Sequence, residues 1–230
     1  TALIEAASKG HLACVEYLVS HGAELNVQNS DGNTALIEAA SKGQLAFVKY
    51  LILHGANLNV KDKNGNTALL LAASKDHLAC VEYLISHGAD LNIKNYDGNT
   101  VLLLAASGDR LAYVKYLVSH GADPNVKKSD GDTALIEAAS KGQLACVRCL
   151  VSLGADLNLQ DSNGSTALKR AASKGQLSCV GCLASHGADL NIKDIFGDTA
   201  LIGAASKSRL ACVDCLVSLG ADLNIQKSDG

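Results

Sequence analysis

The stretch TALIEAASKGQLAFVKYLILHGANLN, residues 34–59, decides the fold. Thr34 stands where a hydroxyl can accept from a free backbone N–H, which predicts a helix N-terminus. Ala35 to Ser41 reads as one short helix, and Lys42-Gly43 breaks it because Gly43 is free to take a positive φ. Leu45, Phe47, Val48, Leu51 and Ile52 then recur at helical spacing and predict a second helix. His54-Gly55 ends it: the glycine suits a left-handed cap, and the imidazole lies at the negative end of the helix dipole. Asn57 to Asn66 reads as an extended loop with its turn at Asn64-Gly65.

The phrase returns with small substitutions at Thr1, Thr67, Thr100, Thr133, Thr166 and Thr199, each 33 residues from the next, without insertion. The whole chain, 1–230, is therefore a single array of seven units: 1–33, 34–66, 67–99, 100–132, 133–165, 166–198 and 199–230. Two helices of this length cannot bury their apolar faces alone. Stacked on their neighbours they share a continuous core, which predicts an all-α solenoid.

The 33-residue period, the T-x-L-x-x-A-A-x-x-G-x-L-x-x-V-x-x-L core and the G-A-D-x-N ending resemble ankyrin repeats along the entire chain. The resemblance implies an ankyrin-repeat solenoid of helix-turn-helix units with extended, β-hairpin-like loops. It also implies a partner-binding surface made of the loop tips and the exposed side of the first helices. The family usually reads T-P-L-H where this chain reads Thr34-Ala35-Leu36-Ile37. Proline's preset φ is lost. The histidine that usually links neighbouring units is replaced by Ile4, Ile37, Leu70, Leu103, Ile136, Lys169 and Ile202, so apolar contact is expected in its place, with Lys169 the exception.

Composition narrows the function. Apolar residues make up 48% and charged residues 19%, which is globular and not disordered. A net charge of −3 leaves no footprint for nucleic acid or an anionic membrane. No apolar run approaches a membrane span, and no signal-peptide pattern opens the chain. Eight cysteines without a small stapled framework point to reduced thiols and an intracellular, cytoplasmic protein. The chain opens inside a repeat, lacks methionine altogether and carries no polar cap at either end. It reads as a monomeric array within a longer protein.

Three Cys-x-x-Cys pairs stand at 146–149, 179–182 and 212–215. In register, Cys14, Phe47, Cys80, Tyr113, Cys146, Cys179 and Cys212 form one column, and Tyr17, Tyr50, Tyr83, Tyr116, Cys149, Cys182 and Cys215 another. A column that phenylalanine also fills is a packing column, since a free cysteine behaves as a small hydrophobe. The pairs fall mid-helix, away from the N-terminus that activates redox thiols. Neighbouring helices stack about 8–10 Å apart, and a disulfide needs Cα atoms within about 7 Å, so bridges between units are not expected. The softer units are expected at the C-terminal end, where cysteine replaces tyrosine, Gly181 and Gly203 sit inside helices, and Ser208 replaces a turn glycine.

No nucleophile–base pair, phosphate loop, zinc motif or dinucleotide fingerprint occurs. No catalytic residue, cofactor or metal ligand is assigned, and the chain is read as no enzyme. Glu5, Glu38 and Glu137 share a column with Leu71, Leu104, Arg170 and Gly203 and read as an exposed helical face. His21, His54, His87, His120 and His186 read as helix-end caps. Asp31, Asn64, Asp97, Asp130, Asn163 and Asp229 read as turn formers. The lysines near the loops, Lys61, Lys63, Lys94, Lys127, Lys128 and Lys193, read as a solvated row or as a contact for an acidic partner.

The expected function is a non-catalytic scaffold for a protein partner, with a structural or elastic spacer as the rival. Candidate contacts are the two aromatics outside the packing columns, Tyr96 and Phe196, with Ile195 beside the latter; all three fall at loop tips. The alternatives for each tip are a neutral residue without a role or packing against the next tip. On the first helices Leu71 and Leu104 interrupt an otherwise polar face, with Lys75 on their rim and Lys63 at a tip. They form either an apolar contact patch or a contact between units.

Overall fold

In the computed structural model, which describes residues 1–227, fourteen helices follow one another in seven pairs, and no strand occurs among the described residues. The pairs are α1 (Ala2–Lys9) with α2 (Leu12–Ser20), α3 (Ala35–Ser41) with α4 (Leu45–Leu53), α5 (Ala68–Ser74) with α6 (Leu78–Ser86), and α7 (Val101–Ser107) with α8 (Leu111–Ser119). They continue with α9 (Ala134–Lys141) and α10 (Leu144–Ser152), α11 (Ala167–Lys174) and α12 (Leu177–Ser185), and α13 (Ala200–Ser206) and α14 (Leu210–Ser218). The loops approach a hairpin through single turn bonds, such as Asp62 N–H to Asn66 O at 2.9 Å, without forming a ladder.

Each first helix starts as the sequence requires. Thr34 Oγ1 accepts from Ile37 N at 3.2 Å, and Thr1, Thr67, Thr100, Thr133, Thr166 and Thr199 do the same for their own helices. Each such cap contributes about 1 kcal/mol.

The chain divides into two compact units, Thr1–Leu104 and Ala105–Gly230. In the first unit α1, α3 and α5 pack in succession, and α2, α4 and α6 form the second row. In the second unit α9, α11 and α13 form one row, and α8, α10, α12 and α14 the other. Leu36, Ile37, Leu51, Leu69, Leu70 and Leu84 are fully buried in the first unit, and Leu117, Leu135, Ile136 and Leu150 in the second.

The column that carries histidine elsewhere in the family is apolar and buried at Ile4, Ile37, Leu70, Leu103 and Ile136. Burying such a side chain contributes about 1.5–3 kcal/mol, against about 0.5–1.5 kcal/mol for a hydrogen bond. At these five repeats apolar burial can therefore offset the lost hydrogen bond, while Ile202 is only half-buried.

Polar links run alongside this core. Asn57 N donates to Asn26 Oδ1 at 2.8 Å and Asp90 N to Asn59 Oδ1 at 3.1 Å; in the second unit Asp156 N meets Asn125 Oδ1 at 2.9 Å and Asp189 N meets Asn158 Oδ1 at 2.9 Å. Lys61 and Lys127, read from the sequence as a solvated row or a contact for an acidic partner, stay exposed and in addition donate to backbone carbonyls one repeat on, at Lys94 and Gln160.

The two packing columns differ. The first is buried from Phe47 to Cys212, whereas Cys14, on the first pair, is exposed. The second column departs from expectation: Tyr50, Tyr83 and Tyr116 are only half-buried, while Cys149 and Cys182 are buried. Those tyrosines lie against the histidine that ends the same helix with ring centroids 4.0 Å apart, stacked at Tyr83 and Tyr116 and tilted at Tyr50. The histidine reading holds. His54 Nδ1 lies 2.8 Å from Tyr50 O, and the same bond recurs at His21, His87, His120 and His186.

The turn between paired helices has a positive φ in every repeat. Ser208, at 56°, meets the expected strain, and Asp76 at 66° and Asp109 at 55° share it. Aspartate tolerates the left-handed region better than most side chains.

Candidate functional site: loop tips and first-helix faces

The tips are built by short side chains two positions earlier than expected. Asp62 Oδ1 accepts from Asn64 N at 2.8 Å and Asn66 N at 2.7 Å. Asn29, Asp161 and Asp194 make the same pair of bonds in their loops. Of the residues read as turn formers, Asp130 alone accepts from the loop backbone, at Asp132 N, because Lys128 has replaced the acceptor in its loop. Asp229 lies outside the described residues. A periodic Asn/Asp two positions before each tip was the available signal.

Each tip also hangs on the one before it. Lys63 N donates to Asp31 O at 3.0 Å, Tyr96 N to Asn64 O at 3.0 Å, Ser162 N to Asp130 O at 2.9 Å and Ile195 N to Asn163 O at 3.1 Å. The tip backbone is thus held, and its outward side chains start from ordered positions.

In the first unit, Tyr96 is 70% exposed. One edge of its ring covers Gly65, where an added methyl would meet Tyr96 Cδ1 at 2.8 Å; Gly65 also has φ 77°, so both space and backbone require glycine there. Lys63 is exposed at the preceding tip. Leu71 and Leu104 are half-buried on their first helices, and Lys75 is exposed with its Nζ 2.7 Å from Ser41 Oγ.

In the second unit, Ile195 is 61% and Phe196 64% exposed at one tip. Beside that tip lies a charge network absent from the sequence reading. Arg170 donates to Asp161 at 2.7 Å and Asp132 at 3.1 Å, and Lys128 meets Asp130 at 3.0 Å and Glu137 at 2.6 Å. The glutamate column is therefore not a uniformly exposed face: the Glu137 side chain retains 17% exposure. Lys169 pairs with buried Asp194.

These contacts set the proton affinities. Burial would lower the Lys128 ammonium, but Glu137 and Asp130 outweigh it and hold the ammonium above its ordinary value. Burial raises the Asp130 and Asp194 carboxyls, and their lysine partners Lys128 and Lys169 bring them below the usual carboxylate range. Asp132 goes the other way, raised by burial despite Arg170. Most of these charges are paired inside the fold, whereas the Asp130 side chain keeps 55% exposure.

The Cys-x-x-Cys pairs lie within α10, α12 and α14, with each first cysteine buried. Burial pushes Cys146 up to about 12 and Cys179 up to about 11, with Asp109 adding to the first. Such thiols stay protonated at neutral pH, the opposite of an activated nucleophile. No cluster of three or more metal-ligating side chains occurs among the described residues. No helix among them is long and apolar enough to cross a membrane.

A family model described as Ankyrin repeats (3 copies) matches residues 1–62, 40–128, 92–161 and 135–227. The crystal structure of the ankyrin repeat domain of Bcl-3, described as a unique member of the IkappaB protein family, is similar at a TM-score of 0.85 and 31% identity, over 94% of this chain and 98% of that one. An ankyrin repeat domain from Acinetobacter baumannii AYE, ABAYE2397, is similar at a TM-score of 0.77 and 29% identity, over 81% of this chain and 98% of that one. No curated protein sequence matches the chain.

Proposed function

The chain belongs to the ankyrin-repeat family, and from that premise we propose that it is a non-catalytic scaffold that binds a protein partner through its loop tips and first-helix faces. Ankyrin repeats are protein-interaction modules. The observation that carries the reading is the exposure of Tyr96, Ile195 and Phe196 on tips whose backbone is already tied down. None of the three side chains is needed by the core, and large apolar side chains on a held backbone bind at low entropic cost. Leu71 and Leu104, with Lys75 and Lys63 beside them, offer a second apolar contact in the first unit. The spacer alternative draws on the Tyr96 ring, which covers Gly65 and so has a local packing role.

Affinity capture from cell lysate tests the reading. The chain is run beside a Y96S/I195S/F196D variant of unchanged melting temperature. A protein held by the parent and lost by the variant supports the tips. Equal capture moves the site to Leu71 and Leu104. Capture of nothing by either chain favours the spacer.

A further inference from the structure

We infer that the sixth and seventh repeats, in the second unit, present a docking face for an extended acidic segment of a protein partner bearing an apolar side chain. The inference rests on the protein-binding reading above and names the chemistry of the partner.

The argument compares one column with itself. Lysine ends the first helix at Lys9, Lys42, Lys75, Lys141, Lys174 and Lys207. The first four are already engaged. Lys9 pairs with Glu5 at 3.0 Å, Lys42 donates to Ser8 Oγ at 2.8 Å, Lys75 donates to Ser41 Oγ at 2.7 Å, and Lys141 meets both Ser107 and Glu137. Lys174 and Lys207 are exposed and have no such partner among the described residues.

The sequence accounts for one of the missing partners. Arg170 and Gly203 stand where Glu5, Glu38 and Glu137 stand, so neither lysine has a carboxylate four residues before it. The Ser173 hydroxyl, the counterpart of the serines that accept from Lys42, Lys75 and Lys141, lies in the space that Gly203 leaves, 2.5 Å from where a Cβ would be. Lys193 differs likewise from Lys61 and Lys127: its ammonium is exposed and reaches no carbonyl of the next repeat.

Apart from Asp189 and Asp222, the acids nearby are ion-paired. Asp132 and Asp161 are held by Arg170, Asp194 by Lys169, and Asp198 by Lys227 at 2.9 Å. Asp189 and Asp222 begin the loops and accept there from Asn191 N and Asn224 N. What remains open on the first-helix and tip side is three unpaired ammonium groups and the exposed pair Ile195-Phe196. Unpaired cations beside an apolar anchor complement an acidic chain with an aliphatic or aromatic side chain. Phosphate polymers are disfavoured because buried carboxylates lie among these cations and the net charge is −3.

The test pans a phage-displayed library of random dodecapeptides against the full chain. Selected peptides are then titrated against the parent, F196D and K174E/K193E/K207E by fluorescence polarisation. All three lysines are exposed and unpaired, so the triple variant should melt as the parent does. The expected result is enrichment of Asp and Glu around an aliphatic or aromatic residue. Affinity should fall about tenfold or more in each variant and weaken with added salt. Selected peptides without acidic enrichment, affinity unchanged in the triple variant, no enrichment at all, or equal displacement by a single-stranded DNA oligonucleotide each overturn the inference. None of these removes the scaffold reading, which stands or falls on capture from lysate.

Discussion

The ammonium of Lys169 rests on the carboxylate of Asp194, 25 residues on, with side chains only 13% and 2% exposed. It occupies the column where five other repeats bury isoleucine or leucine. Asp194 is not left to the lysine alone, because it also accepts from Phe196 N at 2.9 Å and Asp198 N at 2.8 Å. The tip that carries Phe196 is therefore anchored by the carboxylate that neutralises Lys169.

Removing one partner of such a pair should cost more than removing both. D194N keeps an acceptor for the turn but strands a mostly buried ammonium, and about 3 kcal/mol of destabilisation is expected. K169I restores the residue used by neighbouring repeats, so D194N/K169I should recover most of that loss. Urea unfolding of both single variants and the double reads the cycle. Additive effects would show that the pair is not coupled.

Acid should weaken the protein in a direction set by these carboxyls. Asp130 and Asp194 have lowered affinities, so their contribution is present above the unfolded value, about pH 3.9, and is lost as pH falls through the lower folded values. Asp132 is raised, so its contribution has the opposite sign and is lost as pH rises through its folded value. Melting temperature is expected to fall on acidification through the carboxylate range, and to fall less steeply in D194N. A D194N profile parallel to the parent would refute the assignment.

The loop acceptors can be separated from the residues beside them. D62A removes an acceptor of two backbone N–H groups at 2.7–2.8 Å and should cost about 1–2 kcal/mol. N64A removes a side chain at the exposed tip and should stay within about 0.5 kcal/mol. Chemical denaturation of the two variants distinguishes them, and equal losses would return the turn to Asn64.

Ser208 holds φ 56° in the turn before α14. Replacing it with glycine relieves a left-handed strain of about 1 kcal/mol, offset in part by added freedom of the unfolded chain. S208G should therefore raise the melting temperature slightly. A lower value would mean that the serine side chain stabilises the turn.

Thiol titration of the native protein should be biphasic. Cys14 is exposed and Cys215 half-exposed, whereas Cys80, Cys146, Cys149, Cys179, Cys182 and Cys212 are buried. Two fast equivalents and six released only by denaturant are expected with a disulfide-exchange reagent. Pairwise rapid reaction at the three Cys-x-x-Cys sites would contradict the packing reading.

The repeat, the helices, their caps and the packing columns were legible in the residues because each depends on local spacing. A threonine caps its own helix and a glycine ends it, and a 33-residue period forces every unit to bury the same face. The tips were legible as exposed apolar positions, since Tyr96, Ile195 and Phe196 interrupt a polar column. Contacts between repeats decided the rest. Glu137 and Arg170 look like ordinary surface charges until Lys128, Asp132 and Asp161 converge on them from neighbouring loops. Lys61 and Lys127 look solvated until a carbonyl one repeat on comes within reach. Lys174 and Lys207 match their column letter for letter; the sequence shows that each lacks a carboxylate four residues before it, and only packing shows that, among the described residues, no serine of the preceding repeat takes its place. Sequence determines what each residue can bond; which bonds are made depends on distances that stacking alone sets.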